Sequence, residues 1–258
     1  MEGSKRRPPL SRRRILEEAL GVVDREGLSA LSMRRLGDRL GVEAMSLYHH
    51  LPNKAALLDG IFEAVLEELP TEPSPGPWQE RLVESALALR QVLVNHPNAL
   101  ALFATRPAVT PASLGHVERV LALLDAAGFS RNEALTYLNA LVALVVGHTI
   151  ATATPRAPSE APAADYAALD PARFRHVREA ASLLPTQDPR RELELAIETL
   201  VRGMELRRRQ ASRANQRAPA ASPKRPKSAT TSTSTRNERE LMPRPSKVAS
   251  KRKPTRKS

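Results

Sequence analysis

The segment from Leu31 to Lys54, LSMRRLGDRLGVEAMSLYHHLPNK, combines polar, aromatic and basic side chains over two short helical patterns. In the second pattern, the residues expected to be exposed are Ala44, Met45, Ser46, Tyr48 and His49. Hydroxyl and imidazole groups can hydrogen-bond to base edges in the DNA major groove, and small apolar groups can pack on a thymine methyl. The chemistry that these residues favour is recognition of a surface rather than the making or breaking of bonds.

Two short helices must position these side chains. Ser32 is a suitable N-cap, and Gly41 can take the turn conformation that other residues resist. Leu47 is the inward residue of the second helix, about Glu43 to His49, which Pro52 ends. The first helix carries apolar residues at helical spacing, namely Met33, Leu36 and Leu40. The pattern predicts a helix-turn-helix whose second helix enters the major groove. The structural alternative is a short helical hairpin inside an all-α core.

Three short motifs make the resemblance specific. They are Leu40-Gly41-Val42, Leu47-Tyr48-x-His50 and Asn53-Lys54. The segment resembles the DNA-binding domain of the TetR family of bacterial transcriptional regulators. The resemblance implies that four residues face the DNA phosphates, namely Arg34, Tyr48, His50 and Lys54. It also implies that four meet base edges, namely Ala44, Met45, Ser46 and His49. Relatives often have Gln where Ala44 stands, so the preferred DNA sequence should differ from theirs.

The rest of the chain predicts an all-α protein, because no segment alternates with a period of two. Two further helices are expected in the N-terminal part, from Arg12 to Glu26 with Ser11 as its cap, and from Lys54 to Leu69 with Asn53 as its cap. The expected helices of the body are near 78–95, 111–127, 130–153, 171–184 and 189–209. Their starts are marked by cap residues such as Thr110-Pro111 and by the Ser130/Glu133 capping box.

The predicted organisation has four parts. They are a disordered N-terminal arm, 1–10, a helix-turn-helix domain, 11–69, a ligand-binding and dimerisation domain, 78–209, and a disordered basic tail, 210–258.

The amino-acid composition further narrows the class of protein to which the chain can belong. The chain has 258 residues and no Cys, which excludes disulfides and cysteine metal sites. No apolar run follows the basic residues at the N-terminus, so no signal peptide is expected. The most apolar segment, Leu138 to Ala153, is interrupted by polar residues and predicts a buried helix rather than a membrane span. We expect no membrane partner and a cytoplasmic, nucleoid-associated location in a bacterium.

The charge is concentrated at the C-terminal end. Residues 207–258 hold 17 Lys or Arg and two Glu, whereas residues 61–206 carry 12 basic and 18 acidic side chains. The low content of large apolar residues predicts disorder in the tail. This basic tail leaves open a rival interpretation, a nucleoid-type architectural protein that binds DNA without sequence preference.

The body resembles the ligand-binding domain of the tetracycline-repressor branch. The motifs are Trp78-Gln79-Glu80, Thr105-Arg106-Pro107, Gly128-Phe129-Ser130 and Gly147-His148. The resemblance implies a pocket lined by Ser85, Leu89, Leu102, Phe103, Thr105 and His148. Where that branch holds a drug-chelated magnesium with His, this chain has Leu102 and about Pro70. We therefore expect an apolar, metal-free effector site, with His148 either a ligand contact or a satisfied core residue.

The residue pattern does not indicate an enzyme. The six His are scattered, with no cluster at metal spacing, no phosphate-binding Gly loop and no nucleophile motif, so no catalytic residue, metal or cofactor is expected. His96 and His116 are interpreted as surface residues. Helices 130–153 and 189–206 are the expected dimer surface. The second helix has an apolar stripe, which could alternatively belong to the core of the chain: Leu193, Ala196, Ile197, Leu200, Val201 and Met204. The sequence thus predicts a homodimeric, ligand-responsive regulator, more readily a repressor, that binds double-stranded palindromic DNA.

Overall fold

The computed structural model describes residues 9–72, 75–153 and 165–217, with side chains up to Arg213. In these ranges the chain forms ten α-helices and four short 3-10 helices, and no strand. The helices are α1 (Arg12–Glu26), α2 (Met33–Leu40), α3 (Ala44–Tyr48), α4 (Lys54–Leu66), α5 (Trp78–Asn95), α6 (Leu100–Thr105), α7 (Pro111–Ala126), α8 (Arg131–Ala153), α9 (Pro171–Ala181) and α10 (Pro189–Arg217). The all-α prediction is confirmed.

Local side-chain caps start the helices where the sequence predicts them. The side chains of Ser11, Ser32 and Asn53 each accept a hydrogen bond from the backbone N–H three residues later. At the start of α8, the Ser130 backbone N–H donates to Glu133 Oε2 at 2.9 Å, as a capping box requires. These bonds satisfy backbone donors that a helix N-terminus leaves without partners.

The first four helices pack closely around the crossing of α1 and α4. A Cβ atom at Gly60 of α4 would lie 2.5 Å from Leu16 Cδ2 of α1, so a side chain at this position would force Leu16 to move. Ile15, Leu47 and Ile61 are fully buried in the same core. Close packing of this kind holds the short helix α3 against longer helices, although α3 is too short to be stable alone.

In the body, α5 is the central helix and packs against α8, α10, α7 and α4. The apolar stripe of α10, including Leu193, Ile197 and Met204, is buried in this same chain. The sequence offered this stripe as part of a dimer surface, and the structure instead assigns it to the core. The large apolar residues that α10 leaves exposed are Leu195 and Leu206.

Three helix ends differ from the sequence prediction. Helix α4 ends at Leu66 rather than Leu69, and the last residues form a turn before Pro70. Helix α9 ends at Ala181 rather than at residue 184.

Helix α10 continues past the predicted end at Arg209 to Arg217, so residues 210–217 are helical and not part of a disordered tail. No Gly or Pro occurs between these positions, and Ser212 Oγ donates to the Arg208 carbonyl at 3.1 Å, so nothing local stops the helix. Leu10 of the predicted arm is partly buried against the core. The predicted disorder of residues 1–8 and of residues 218–258 lies outside the described residues.

Helix α8 is apolar over most of its length. Among the described residues it is the one helix that could cross a membrane by length and composition. Here it packs against α5, α7 and α10, and about a third of its most apolar window, 33%, is buried. Its uncovered side chains include Leu135, Val142 and Ile150. The helix is therefore partly core and partly an exposed apolar face, not the wholly buried helix that the sequence suggested.

Candidate DNA-binding and effector sites

The turn between α2 and α3 depends on two glycines. Gly41 has φ 68° in the left-handed region, and its N–H caps α2. Gly37 lies inside α2, where a Cβ atom would stand 2.8 Å from the Val42 carbonyl oxygen and 3.1 Å from the Ala44 nitrogen. The absent side chain lets the start of α3 touch α2, which sets the angle of the helix-turn-helix. The sequence pattern did not indicate a structural role for Gly37.

The side chains of α3 divide into two groups. Met45 is 69% exposed and Tyr48 40% exposed, while Leu47 is fully buried and anchors the helix. Ala44 and Ser46, which the sequence predicted as exposed, are half-buried. Packing of Ala44 against Gly37 accounts for part of this burial. The exposed face of α3 therefore projects Met45 and Tyr48 furthest, with His49 exposed just beyond its end.

The predicted phosphate contacts also lie at the surface. Arg34 on α2, His50 after α3 and Lys54 at the start of α4 are all exposed. Two neighbouring arginines of α2 are instead paired with α1: Arg35 with Glu26, and Arg39 with Glu18. The pairs tie α2 to α1, and Arg34 remains directed to solvent.

Helix α4 is joined to other elements by two charged contacts. Arg106 follows α6, and its Nε and Nη2 donate to Asp59 Oδ1 of α4 at 2.8 and 2.6 Å. Arg12 Nη1 donates to Glu63 Oε1 at 2.6 Å, which joins α1 to α4. Burial raises the pKa of Glu63, but hydrogen bonding and the charge of Arg12 outweigh it, so this pKa is lowered.

His96 is not a surface residue, contrary to the sequence interpretation. It is 8% exposed, and its two ring nitrogens contact carboxylates from α1 and from the turn after α4. The burial of His96 could not be predicted from neighbouring residues, because its partners are Asp24 and Glu68, which are distant along the chain. In the sequence, a His before Pro at the end of a helical pattern predicts only that the helix ends there.

The apolar residues of the predicted effector pocket all belong to the hydrophobic core of the chain. Leu102 is buried, and Leu89 and Phe103 are partly buried and pack against the core cluster. Phe103 also stacks on Phe62 of α4, with ring centroids 4.4 Å apart. This part of the predicted pocket therefore adjoins α4, the helix that follows the helix-turn-helix.

The polar residues of that set have other contacts. Ser85 Oγ donates to the Arg81 carbonyl at 2.7 Å, and Thr105 Oγ1 donates to the Ala101 carbonyl at 2.6 Å. His148 Nε2 lies 3.5 Å from Glu192 Oε2 on α10, an ion-pair distance that is long for a hydrogen bond. Neither ring nitrogen of His148 has a hydrogen bond to another described residue. The polar groups thus do not form one hydrogen-bonding set.

Two clefts open among the described helices. The larger, about 740 Å³, lies between α5 and α10, and its walls include Val83, Leu87 and Glu198. None of the predicted pocket residues lines it. The smaller, about 390 Å³, includes Leu102 and Thr105 together with Lys54 and Leu58 of α4. It therefore places two of the predicted residues beside α4. In the described part of the chain no three His, Asp or Glu side chains could hold a metal ion together.

An exposed short helix after a glycine turn, carried by a helical body, defines a helix-turn-helix DNA-binding regulator. Residues 15–61 match the profile of the bacterial regulatory proteins of the tetR family. Residues 69–208 match that of the tetracyclin repressor-like C-terminal domain. The chain therefore belongs to the tetR family, whose members are transcriptional regulators and not enzymes.

Curated relatives agree with this assignment. An HTH-type transcriptional regulator of Saccharopolyspora erythraea is 39% identical over 160 residues, which are 61% of this chain and 67% of that protein. The class E tetracycline repressor protein of Escherichia coli is 36% identical over 137 residues, or 52% of this chain and 64% of that protein. These alignments thus span about two thirds of each relative.

Solved structures match more of the chain. The apo ActR structure from Streptomyces coelicolor has a TM-score of 0.68 and 29% identity, and the match covers 79% of this chain and 99% of ActR. ActR in complex with actinorhodin matches with a TM-score of 0.66 and 30% identity, over 77% of this chain and 98% of that one. The arrangement of DNA-binding helices and body is therefore shared along nearly the whole length of these regulators.

Proposed function

We propose that the chain is a homodimeric repressor that binds a palindromic operator in bacterial DNA and releases it when a small organic molecule binds the body. The observation that carries the proposal is the exposed face of α3, where Met45 and Tyr48 project while Leu47 is fully buried. Met45 is mostly uncovered by the chain, and Tyr48 keeps 40% of its surface exposed, so both can contact a partner. They are suited to contacts with base edges and backbone.

The surrounding basic residues supply the positioning contacts. Arg34, His50 and Lys54 are exposed on the same part of the chain and would meet phosphates on either side of α3. Ala44, Ser46 and His49 complete the reading set, with Ala44 and Ser46 closer to the turn. Because Ala44 cannot bond adenine in the bidentate way that Gln can, the preferred operator differs from those of Gln-containing relatives.

A dimer is supported by the uncovered faces of α8 and α10. On α8, Leu135, Val142 and Ile150 are exposed seven or eight residues apart, which places them on one face. On α10, Leu195 and Leu206 are three helical turns apart and also exposed. Two such helices from each chain would form a four-helix bundle, and a dimer would bring two copies of α3 to the two halves of a palindrome.

The effector site we propose lies around Leu89, Leu102 and Phe103. Its apolar lining and the stacking of Phe103 on Phe62 would let a bound molecule act on α4 directly. In this proposal Ser85, Thr105 and His148 would border the site and supply its polar contacts. The ActR relative has been solved in complex with actinorhodin and with (S)-DNPA, which supports an organic effector. A shift of α4 would alter the spacing of the two α3 helices and weaken operator binding.

Selection of bound duplexes from a random pool tests the DNA-binding part. We expect a palindromic sequence with half-sites about one helical turn, or a multiple, apart. Enrichment of duplexes without any shared sequence would instead favour the architectural alternative, in which the basic C-terminal residues bind DNA non-specifically. The matched control is the Tyr48→Ala protein, which should enrich the palindrome poorly.

Calorimetry with magnesium–tetracycline tests the proposed character of the effector site. Leu102 takes the place of a His in the tetracycline-binding branch, and Leu cannot ligate magnesium, so we expect no measurable binding. The magnesium-free drug is the control for apolar binding alone. A dissociation constant in the range of about 1 μM for the chelate, equivalent to about −8 kcal/mol, would contradict a metal-free site.

A further inference from the structure

The imidazole of His96 lies between two carboxylates that come from different parts of the fold. Its Nδ1 is 2.9 Å from Asp24 Oδ1 and 3.0 Å from Asp24 Oδ2, near the end of α1. Its Nε2 is 3.0 Å from Glu68 Oε1, in the turn that follows α4. His96 itself follows α5, so this one ring joins the last turn of α1 and the turn after α4 to the central helix of the body.

The surrounding contacts favour a tight junction at this place. His96 is 8% exposed, and Asn98 Nδ2 donates to the Asp24 carbonyl oxygen at 2.9 Å. The turn that contains Asn98, Pro97–Ala99, packs along α1. Arg25, the neighbour of Asp24, is directed to Glu18 at 3.6 Å and not to the imidazole. Asp24 and Glu68 are thus the charged groups that act on His96 among the described residues.

The number of protons on the His96 imidazole determines how many hydrogen bonds it can donate to the two carboxylates. An ionised carboxylate only accepts hydrogen bonds, so bonding to both Asp24 and Glu68 requires a proton on each ring nitrogen. Neutral imidazole has one N–H and would leave one carboxylate facing a lone pair. Burial lowers the pKa of His96, but the hydrogen bonds and charges of Asp24 and Glu68 outweigh it, so this pKa is raised.

We propose that His96 is a proton-dependent positioning residue, which holds the DNA-binding helices on the body when it is protonated and loosens them when it is neutral. The residue contacts neither the proposed operator surface nor the proposed effector site, and it acts through the orientation of α1 and α4. Because its pKa is raised, the junction is complete below the ordinary value of 6.5 and is lost as the pH rises through the higher value of the folded state. A loosened junction makes DNA binding weaker, because orienting mobile domains costs entropy.

The test compares the wild-type protein with His96→Gln, on a duplex that the wild-type protein selects from a random pool. Affinity is measured by fluorescence anisotropy from about pH 6 to about pH 9 at constant ionic strength, a range that spans histidine titration. The wild-type protein should lose about fivefold more affinity over this range than His96→Gln does, the scale of modest coupling between sites. His49 and His50 are present in both proteins, so any contribution that they make to DNA binding cancels in the comparison.

Further variants distinguish positioning from simple structural support. Glu68→Gln removes the charge from one of the two hydrogen-bond acceptors of His96. In this variant the loss of DNA affinity with rising pH should therefore occur at lower pH than in the wild-type protein. His116→Gln, on α7, is the matched control, and its pH profile should follow that of the wild-type protein. Parallel profiles for the wild-type protein and His96→Gln would overturn the proposal, even if the variant is less stable at every pH.

A second readout does not depend on DNA. Amide exchange of residues 20–26, corrected for intrinsic rate, should be faster at high pH than at low pH in the wild-type protein. In His96→Gln it should be fast at both. If no duplex is selected at all, the proposed function fails, and this measurement alone decides the coupling. Equal protection of α1 at both pH values in the wild-type protein would then overturn the proposal.

Discussion

Arg106 and Asp59 form a two-donor ion pair between the end of α6 and the middle of α4. Both N–H donors reach the same carboxylate oxygen, Oδ1, at 2.8 and 2.6 Å, and Arg106 Nη2 also donates to the Ala55 carbonyl at 3.2 Å. The two side chains are 25% and 22% exposed, so solvent screens the pair only in part. The contact connects α6, which carries three residues of the proposed effector site, to the helix that follows the helix-turn-helix.

Asp59→Asn should therefore weaken communication between the proposed effector site and DNA more than it weakens DNA binding. Loss of the charged acceptor should also cost about 1–3 kcal/mol of unfolding free energy, the scale of hydrogen bonds to charged groups. Urea unfolding measures this cost. The control is Arg13→Ala, whose pair with Glu17 is exposed to solvent and should contribute much less to stability. Equal costs for the two variants would show that the Arg106 pair is no stronger than a surface pair.

The α3 assignment is tested by Tyr48→Ala and Ser46→Ala. Tyr48 is exposed, so its removal should leave the helical circular dichroism unchanged while operator affinity falls by about 1–3 kcal/mol, the scale of a lost base or backbone contact. Ser46 is half-buried, and its variant should have the smaller effect. Arg175→Ala on α9 is the control, since it lies in the body. Wild-type affinity in both α3 variants would remove α3 from the DNA interface.

The dimer surface is tested by Gly147→Arg on α8. A Cβ atom at Gly147 has no neighbour within 4 Å in the described chain, so the monomer can accept a side chain there. In the proposed four-helix bundle the same side chain would meet the partner subunit and prevent close packing. Sedimentation should then show a folded monomer. Gly115→Arg on α7 is equally open in the structure, and should leave the dimer intact. A dimeric Gly147→Arg protein would place the interface elsewhere.

The Arg12–Glu63 pair predicts a pH-dependent contribution to stability. Burial opposes ionisation of Glu63, but Arg12 lowers its pKa below the ordinary value of 4.5, so the contribution is complete above that value. It is lost as the pH falls through the lower folded-state pKa. The difference in unfolding free energy between wild-type and Glu63→Gln proteins should be constant above pH 4.5 and shrink in more acidic solution. A difference that is independent of pH down to the acid transition would contradict this.

The basic C-terminal residues predict a stronger salt dependence of DNA binding. Each phosphate neutralised adds about 0.9 to the slope of log affinity against log salt, so four contacts would add about 3 to 4. The full chain should have this steeper slope relative to a chain that ends at Arg217, where α10 ends. The preferred duplex should be the same for both. Equal slopes on operator and on random DNA would exclude a role for residues 218–258 in DNA binding.

The sequence was sufficient for features that arise from neighbouring residues. Ser32, Gly41 and Asn53 mark helix boundaries through hydrogen bonds and backbone preferences within a few residues, so α1 to α4 could be predicted closely. The amphipathic spacing and the Ser130/Glu133 capping box likewise indicated α8. The all-α class and the family followed from such local patterns in a consistent order.

The tertiary structure alone decided which distant residues meet. His96 and Asp24 are 72 positions apart, and Arg106 and Asp59 are 47 apart, so no spacing rule relates them. The same limit explains why α10's apolar stripe could not be divided between core and surface until α5 and α8 were in place. Packing also decided the environment of Gly37 and the burial of Ala44, because these depend on the approach of two helices and not on either helix alone. Interactions between neighbouring residues determine where the helices begin and end. Close packing determines which helices meet, and the ion pairs of His96 and Arg106 with distant carboxylates depend on that packing.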